Sequence, residues 1–155
     1  MSMTANLQLL KDIRLKLIHH ELRPVYCVDT GFRRVPNRPE PLADLEVIDG
    51  LDNLGQAVLL RLLTPKGELT PLAHPDYGSR LHELIGQQNT TSTRNLAKLY
   101  ILESLQLEPR IQKVTQVIVE PAQGARDRIN IQLAVLPAGE TRVVQIGPFT
   151  LELAS

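Results

Sequence analysis

Two residue pairs, His20-Glu21 and His82-Glu83, open the His-Glu-x-x-His pattern that sets two imidazoles on one helical face around zinc. The second imidazole is missing from both, because Pro24 and Gly86 stand where it belongs. No Gly-x-Ser-x-Gly elbow exists to expose a serine nucleophile, and no glycine-rich phosphate loop leads into a Lys-Ser or Lys-Thr pair. Cys27 is single and reads as a small buried side chain rather than a nucleophile. Hydrolysis of a glycosidic bond needs two carboxyl groups flanking it, and Glu68 and Asp76 are the best such pair. The plainer account gives Asp76 to its own turn, as an acceptor for backbone N–H groups, and leaves Glu68 as a surface charge. The expectation is therefore no catalytic residue, no metal ligand and no cofactor.

Glu108-Pro109-Arg110 offers a different chemistry. Proline fixes φ between two opposite charges, so the pair leaves the preceding segment in a nearly constant relative direction. The arginine presents a planar fork of donors suited to a carboxylate or to carbonyl oxygens. As an exposed pair it is worth only about 0–1 kcal/mol. Rigid and desolvated in an interface, the same arginine becomes an energetic anchor. Local pairing at a helix end and contact with a partner both fit the pattern.

The elements that must position these groups are punctuated by turns. Pro65 excludes Thr64 from the helical region and supplies the fixed φ of a turn's second position, with Gly67 closing that turn. Pro75 with Asp76 makes another turn, and Gly78 can take a positive φ. Ser79 stands where a helix N-cap belongs, ahead of Leu81, Leu84 and Ile85. Pro65, Gly67, Pro75 and Gly78 are thus expected to be structural.

At 155 residues the chain suits one domain. Lys+Arg and Asp+Glu both number 17, a balance that argues against a nucleic-acid binder, whose affinity rests on neutralising phosphates. The aromatics are Tyr26, Phe32, Tyr77, Tyr100 and Phe149, too few for a base-stacking platform, so the core must be aliphatic. The first six residues lack a basic and then apolar leader, and no apolar run approaches a membrane span. Synthesis in the cytoplasm and no membrane partner are the expectations.

Along the chain, Leu7, Leu10, Ile13, Leu17 and Ile18 trace a helical stripe over residues 6–22, ended by Pro24. Val25 to Phe32 reads as a short strand. Arg33 to Pro41 is proline-rich and holds three arginines, an extended connector that could also meet an acidic partner. Asp49 or Asp52 caps a second helix with Leu51, Leu54, Val58, Leu59 and Leu62 inward, and Gly55 within it suggests close packing. A short third helix runs from Ser79 to Ile85, closed by Gly86. A fourth follows the Thr90-Thr91-Ser92-Thr93 cluster, with Leu96, Leu99, Tyr100 and Leu107 inward, widened by Ala97, Ile101 and Leu105, and Pro109 ends it. Beyond Arg110 the period becomes two: Val117 and Val119, then Ile129, Ile131, Leu133 and Val135, then Val143 to Ile146 and Phe149 to Leu153. The fold class expected is α+β, an aliphatic helical layer packed on a small C-terminal antiparallel meander, with an extra N-terminal amphipathic helix.

Leu63 to Leu69, Pro75 to Leu81 and Glu108-Pro109-Arg110, in this order, resemble the baseplate wedge sheath-initiator family of contractile phage tails, type VI secretion baseplates and extracellular contractile injection systems. The likeness runs from about Asp44 to Leu153, which divides the chain into 1-43, an N-terminal helix and Pro-rich linker, and 44-155, a baseplate sheath-initiator-like domain. It implies a non-enzymatic structural protein, in six copies per baseplate, that joins the wedge to the tube and initiates sheath assembly by strand sharing. Its implied partners are larger baseplate wedge subunits, the sheath protein and tube or hub proteins. Glu108, Pro109 and Arg110 would contact the wedge subunits, and the terminal strand with Phe149, Leu151 and Leu153 would share with the sheath. The resting place would be the baseplate of an assembled particle, and the added N-terminal elements favour a released injection particle. Some family members carry a lysozyme-like label, so a lysozyme-like peptidoglycan hydrolase is the alternative.

Overall fold

The computed structural model describes residues 11–16, 27, 28, 30–34, 36–40 and 42–153. The strongest period-two stretch folds as its pattern requires. Ile129, Ile131, Leu133 and Val135 are fully buried on β8, Arg128–Pro137, which is the centre of a three-stranded antiparallel sheet. β7, Ile111–Pro121, lies on one side and β9, Val144–Glu152, on the other. Opposite Ile131–Leu133 the pairing jumps from Phe149 to Ile146, so Gly147 and Pro148 form a bulge in β9.

Six shorter strands precede this sheet. β1 (Asp12–Ile13) pairs with β6 (Val47–Ile48), β2 (Leu15–Lys16) with β3 (Cys27–Val28), and β4 (Thr30–Arg33) with β5 (Leu42–Leu45), all antiparallel. In chain order two α-helices come between these strands and the larger sheet: α1, Gly50–Leu63, and α2, Thr91–Gln106. Short 3₁₀ turns cover Thr70–Leu72 and Leu81–Leu84.

Nine strands against two α-helices make the described chain mainly β, which corrects the α+β expectation of an aliphatic helical layer over a C-terminal meander. The third expected helix is a single 3₁₀ turn. The extra N-terminal amphipathic helix is corrected as well, since residues 12–13 and 15–16 are strands. The physical reason is an ambiguity of period. Asp12-Ile13-Arg14-Leu15-Lys16-Leu17 alternates polar and apolar as readily as it fits a helical stripe, and distant strands decide the matter. The Gln56 side chain of α1 then fixes the extended backbone: its Oε1 accepts from Leu15 N at 2.8 Å and its Nε2 donates to Ile13 O at 2.9 Å. An amide that bonds both groups of a neighbouring backbone substitutes for a strand partner. Residues 6–10 and 17–22 of the expected helix, with His20, Glu21 and Pro24, lie outside the described residues, as does the side chain of Cys27.

One core joins α1, α2 and the three-stranded sheet. Leu54, Val58 and Leu62 enter it from α1, and Ala97, Tyr100, Ile101 and Leu105 from α2. Of the residues expected inward on α2, Tyr100, Ala97, Ile101 and Leu105 are buried, whereas Leu96, Leu99 and Leu107 are exposed. Thr90 caps α2 through its hydroxyl, which accepts from Thr93 N at 3.1 Å. Asp49 occupies the N-cap position of α1 without a side-chain cap bond. Among the described residues no helix is long and apolar enough to cross a membrane.

Candidate functional site

The segment between α1 and α2 is stitched into place at three points. Ser79 N donates to Thr64 O at 2.8 Å, Lys66 N to Ser79 O at 2.9 Å, and the buried Ser79 hydroxyl to Leu62 O at 2.7 Å. Ser79 therefore ties the loop back to the end of α1, beyond accepting from Leu81 N at 3.3 Å. Ser104 of α2 holds the same loop from the other side, its hydroxyl donating to Gly78 O at 2.8 Å. Gly78 sits at φ +106°, and a Cβ there would lie 2.5 Å from Thr64 O, so only glycine lets the two segments approach this closely. Gly67, at φ +87°, occupies the third position of a turn in which Glu68 N donates to Pro65 O at 3.1 Å. Pro65 is thus that turn's first residue rather than its second. Pro75 lies in the exposed turn closed by Tyr77 N donating to His74 O at 3.3 Å.

This stitching sets Tyr77 over Arg61 of α1, with the guanidinium carbon 4.5 Å from the ring centroid. Arg61 is buried, and its Nε donates to Glu108 Oε2 at 3.3 Å. Glu108, also buried, accepts on its other oxygen from Arg110 Nε at 2.7 Å and from Arg110 N at 3.3 Å. One carboxylate therefore lies between two guanidinium groups. Burial pushes the Glu108 carboxyl up, but the Arg110 hydrogen bond and charge, the Arg110 backbone N–H and the Arg61 charge together hold it below the ordinary range. Burial pushes the Tyr77 hydroxyl up against the opposing charge of Arg61.

The geometry assigns distinct tasks within Glu108-Pro109-Arg110. The Glu108 carboxylate is an internal clamp, Pro109 is exposed, and the Arg110 side chain keeps 21% of its surface open. Among the described residues only Nε of that guanidinium is bonded, so its two terminal nitrogens are left for another group. Phe149, Leu151 and Leu153 are buried in the protein's own core, leaving the main chain of β9 rather than these side chains as the accessible feature. The carbonyl of Leu153 is already taken by Gly86 N. Higher on β9, no described strand pairs with its outer margin, and a groove of about 360 Å³ runs beside Val144, Ile146 and Gly147, floored by Ile48, Leu51, Gly55 and Leu59.

Glu68 and Asp76, the expected carboxyl pair, are both exposed on turns. His82 is exposed, with Nδ1 3.2 Å from Ser79 O. Arg61 and Tyr77 were not singled out from the sequence. A signal existed for Arg61: it lies three positions after Val58 and seven after Leu54, so a charge falls on the apolar face of α1 and must be paired there.

No protein-family model matches the chain, and no curated protein matches it. Among solved structures, it is similar to a Geobacter sulfurreducens protein that carries the name tail lysozyme. The two share 22% identity at a TM-score of 0.57, over 67% of this chain and 91% of that one. The likeness shows a shared fold.

Proposed function

We propose that this protein is a structural baseplate component of a phage tail or contractile injection system, joining wedge to tube and initiating the sheath by strand sharing. The observation that carries the proposal is the partly exposed Arg110, aimed by a carboxylate that is itself buried and held by Arg61. A docking residue works best when its orientation is fixed before the partner arrives, because less freedom is lost on binding. Arg110 would grip a carboxylate or main-chain carbonyl of a larger wedge subunit through its terminal nitrogens. The tail association in the name of the similar structure supports the setting.

Strand sharing would use the outer margin of β9. An incoming strand there satisfies unpaired backbone groups and lays its side chains in the groove over Leu51, Gly55 and Leu59. The protein would act without catalysis, alongside sheath and tube or hub proteins.

Arg110→Glu in the full chain, expressed in cells that make the particle, tests the proposal. The expected result is a chain that still folds, with a lower melting midpoint because Glu108 loses one partner, and no assembled baseplate by negative-stain microscopy. Sheathed particles in normal yield would sink the assignment. Gly55→Trp, which fills the groove, should separately give baseplates that lack sheath, and sheathed ones would remove strand sharing at this margin.

A further inference from the structure

β4 and β5 form a hairpin that carries an apolar face into solvent. Residues directly opposite one another share a face, and the register pairs Thr30 with Leu45 and Phe32 with Ala43. Phe32 is 79% exposed and Leu45 48% exposed. Two residues further along, Val47 is 57% exposed, and its partner Ile13 is also exposed. Ile48, the neighbour of Val47 with the opposite side-chain direction, is buried at 5%. The ribbon is thus anchored through Ile48 of β6, and the face that carries Phe32, Leu45 and Val47 stays apolar and exposed.

The tip of the same hairpin is basic. Arg33, Arg34 and Arg38 are exposed and form no ion pair among the described residues. None of the arm's acids is ion-paired with them among the described residues: Glu46 is bonded to Arg14 at 3.0 Å, Asp44 Oδ1 accepts from Leu45 N at 2.8 Å, and Glu40 is exposed. An exposed aromatic beside uncompensated arginines is the composition of an interface core and its rim.

We infer that the β4–β5 hairpin is a docking arm for another protein chain, with Phe32 entering an apolar pocket whose rim carries Asp or Glu side chains that pair with Arg33, Arg34 and Arg38. Phosphate-rich partners fit less well. Glu40 and Asp44 on the arm would repel nucleic acid, and one aromatic ring makes no stacking platform. Asp12, Asp44 and Glu46 flank the apolar face and disfavour an anionic lipid surface. Phe32, Arg33, Arg34 and Arg38 play no part in the contacts assigned to Arg110 and β9, so the inference does not depend on the baseplate proposal.

The test places the photo-cross-linker p-benzoylphenylalanine at position 32 of the full chain, in its native cells. Irradiation should give a discrete adduct to another protein, mapped by mass spectrometry to a segment containing Asp or Glu. Charge reversal by Arg33→Glu, Arg34→Glu and Arg38→Glu together should lower its yield by at least about tenfold, as like charges meet across the contact. An unchanged melting midpoint in that variant would show the core intact. No protein adduct, an adduct to a segment without acids, or a yield indifferent to charge reversal would each overturn the inference. Binding of the purified full chain to phosphatidylserine vesicles or to oligo-dT, abolished by Phe32→Ser, would overturn it in favour of lipid or nucleic acid.

Discussion

Arg61 and Glu108 meet inside the protein, Nε 3.3 Å from Oε2, although 47 residues separate them in sequence. The contact joins the last turn of α1 to the exit from α2, and through Glu108 it fixes the guanidinium of Arg110. A buried carboxylate that served one arginine alone would leave its second oxygen unsatisfied. Two arginines satisfy both.

Removing Arg61 exposes this dependence. Arg61→Ala leaves Glu108 buried with one partner and Tyr77 without its guanidinium, and should cost about 3 kcal/mol of stability. Urea unfolding would measure it. The double variant Arg61→Met, Glu108→Gln should lose less than Arg61→Ala, because no charge is then stranded. A double loss equal to the sum of the two single losses would show the groups to be uncoupled.

Glu108 also sets a pH dependence. Its folded pKa lies below the unfolded one, so its contribution is present above the ordinary glutamate value of about 4.3 and is lost as pH falls through the lower folded value. Stability of the native sequence should therefore fall on acidification below about pH 4.3. Glu108→Gln should be less stable at neutral pH and flatter across that acid range. The Glu83 carboxyl is lowered too, chiefly by its hydrogen bond from Arg80, but this is a surface pair, and Glu83→Gln should leave the acid limb nearly unchanged. Denaturant melts at stepped pH would separate the two.

Two glycines should respond in opposite directions. Gly78→Ala forces a Cβ against the backbone of Thr64 and Pro65 at positive φ, with a cost of at least about 2 kcal/mol. Gly55 has no heavy atom within 4 Å of where its Cβ would stand, contrary to the close packing expected there. Gly55→Ala should stabilise the free chain by about 0.5–1 kcal/mol, the helix propensity difference. Thermal midpoints that moved the same way for both would contradict this account.

Gln56→Ala should uncouple the N-terminal strands without melting the core. It strands Ile13 O and Leu15 N, at a cost of about 1–2 kcal/mol. Amide exchange should quicken at Leu15 while Ile131 and Leu133 keep their protection. Equal acceleration at all three would mean that the ribbon and the core open as one unit.

Local signals carried much of this architecture. The Thr90 cap of α2 and the inward set Ile129, Ile131, Leu133 and Val135 follow from residue type and period alone. The inward face of α2 follows only in part, with Tyr100, Ala97, Ile101 and Leu105 buried as expected and Leu96, Leu99 and Leu107 exposed. Leu96, Leu99, Leu102, Leu105 and Leu107 surround the helix, and apolarity by itself leaves its rotation open. The N-terminal segment departs from the expected helix because one sequence satisfies two periods, and pairing with residues 27–28 and 47–48 lies beyond any local window. Within the site, proline made Glu108-Pro109-Arg110 visible, whereas Tyr77 reaches Arg61 only through the loop that Gly78 permits.

The amide of Gln56 and the guanidinium of Arg61 belong to one rigid rod, little more than a turn apart. Two hydrogen bonds hold the β1–β2 segment to the same helix that steadies the charged corner. The N-terminal strands and the charged corner at Arg110 thus have a common support, and α1 is the element that both lean on.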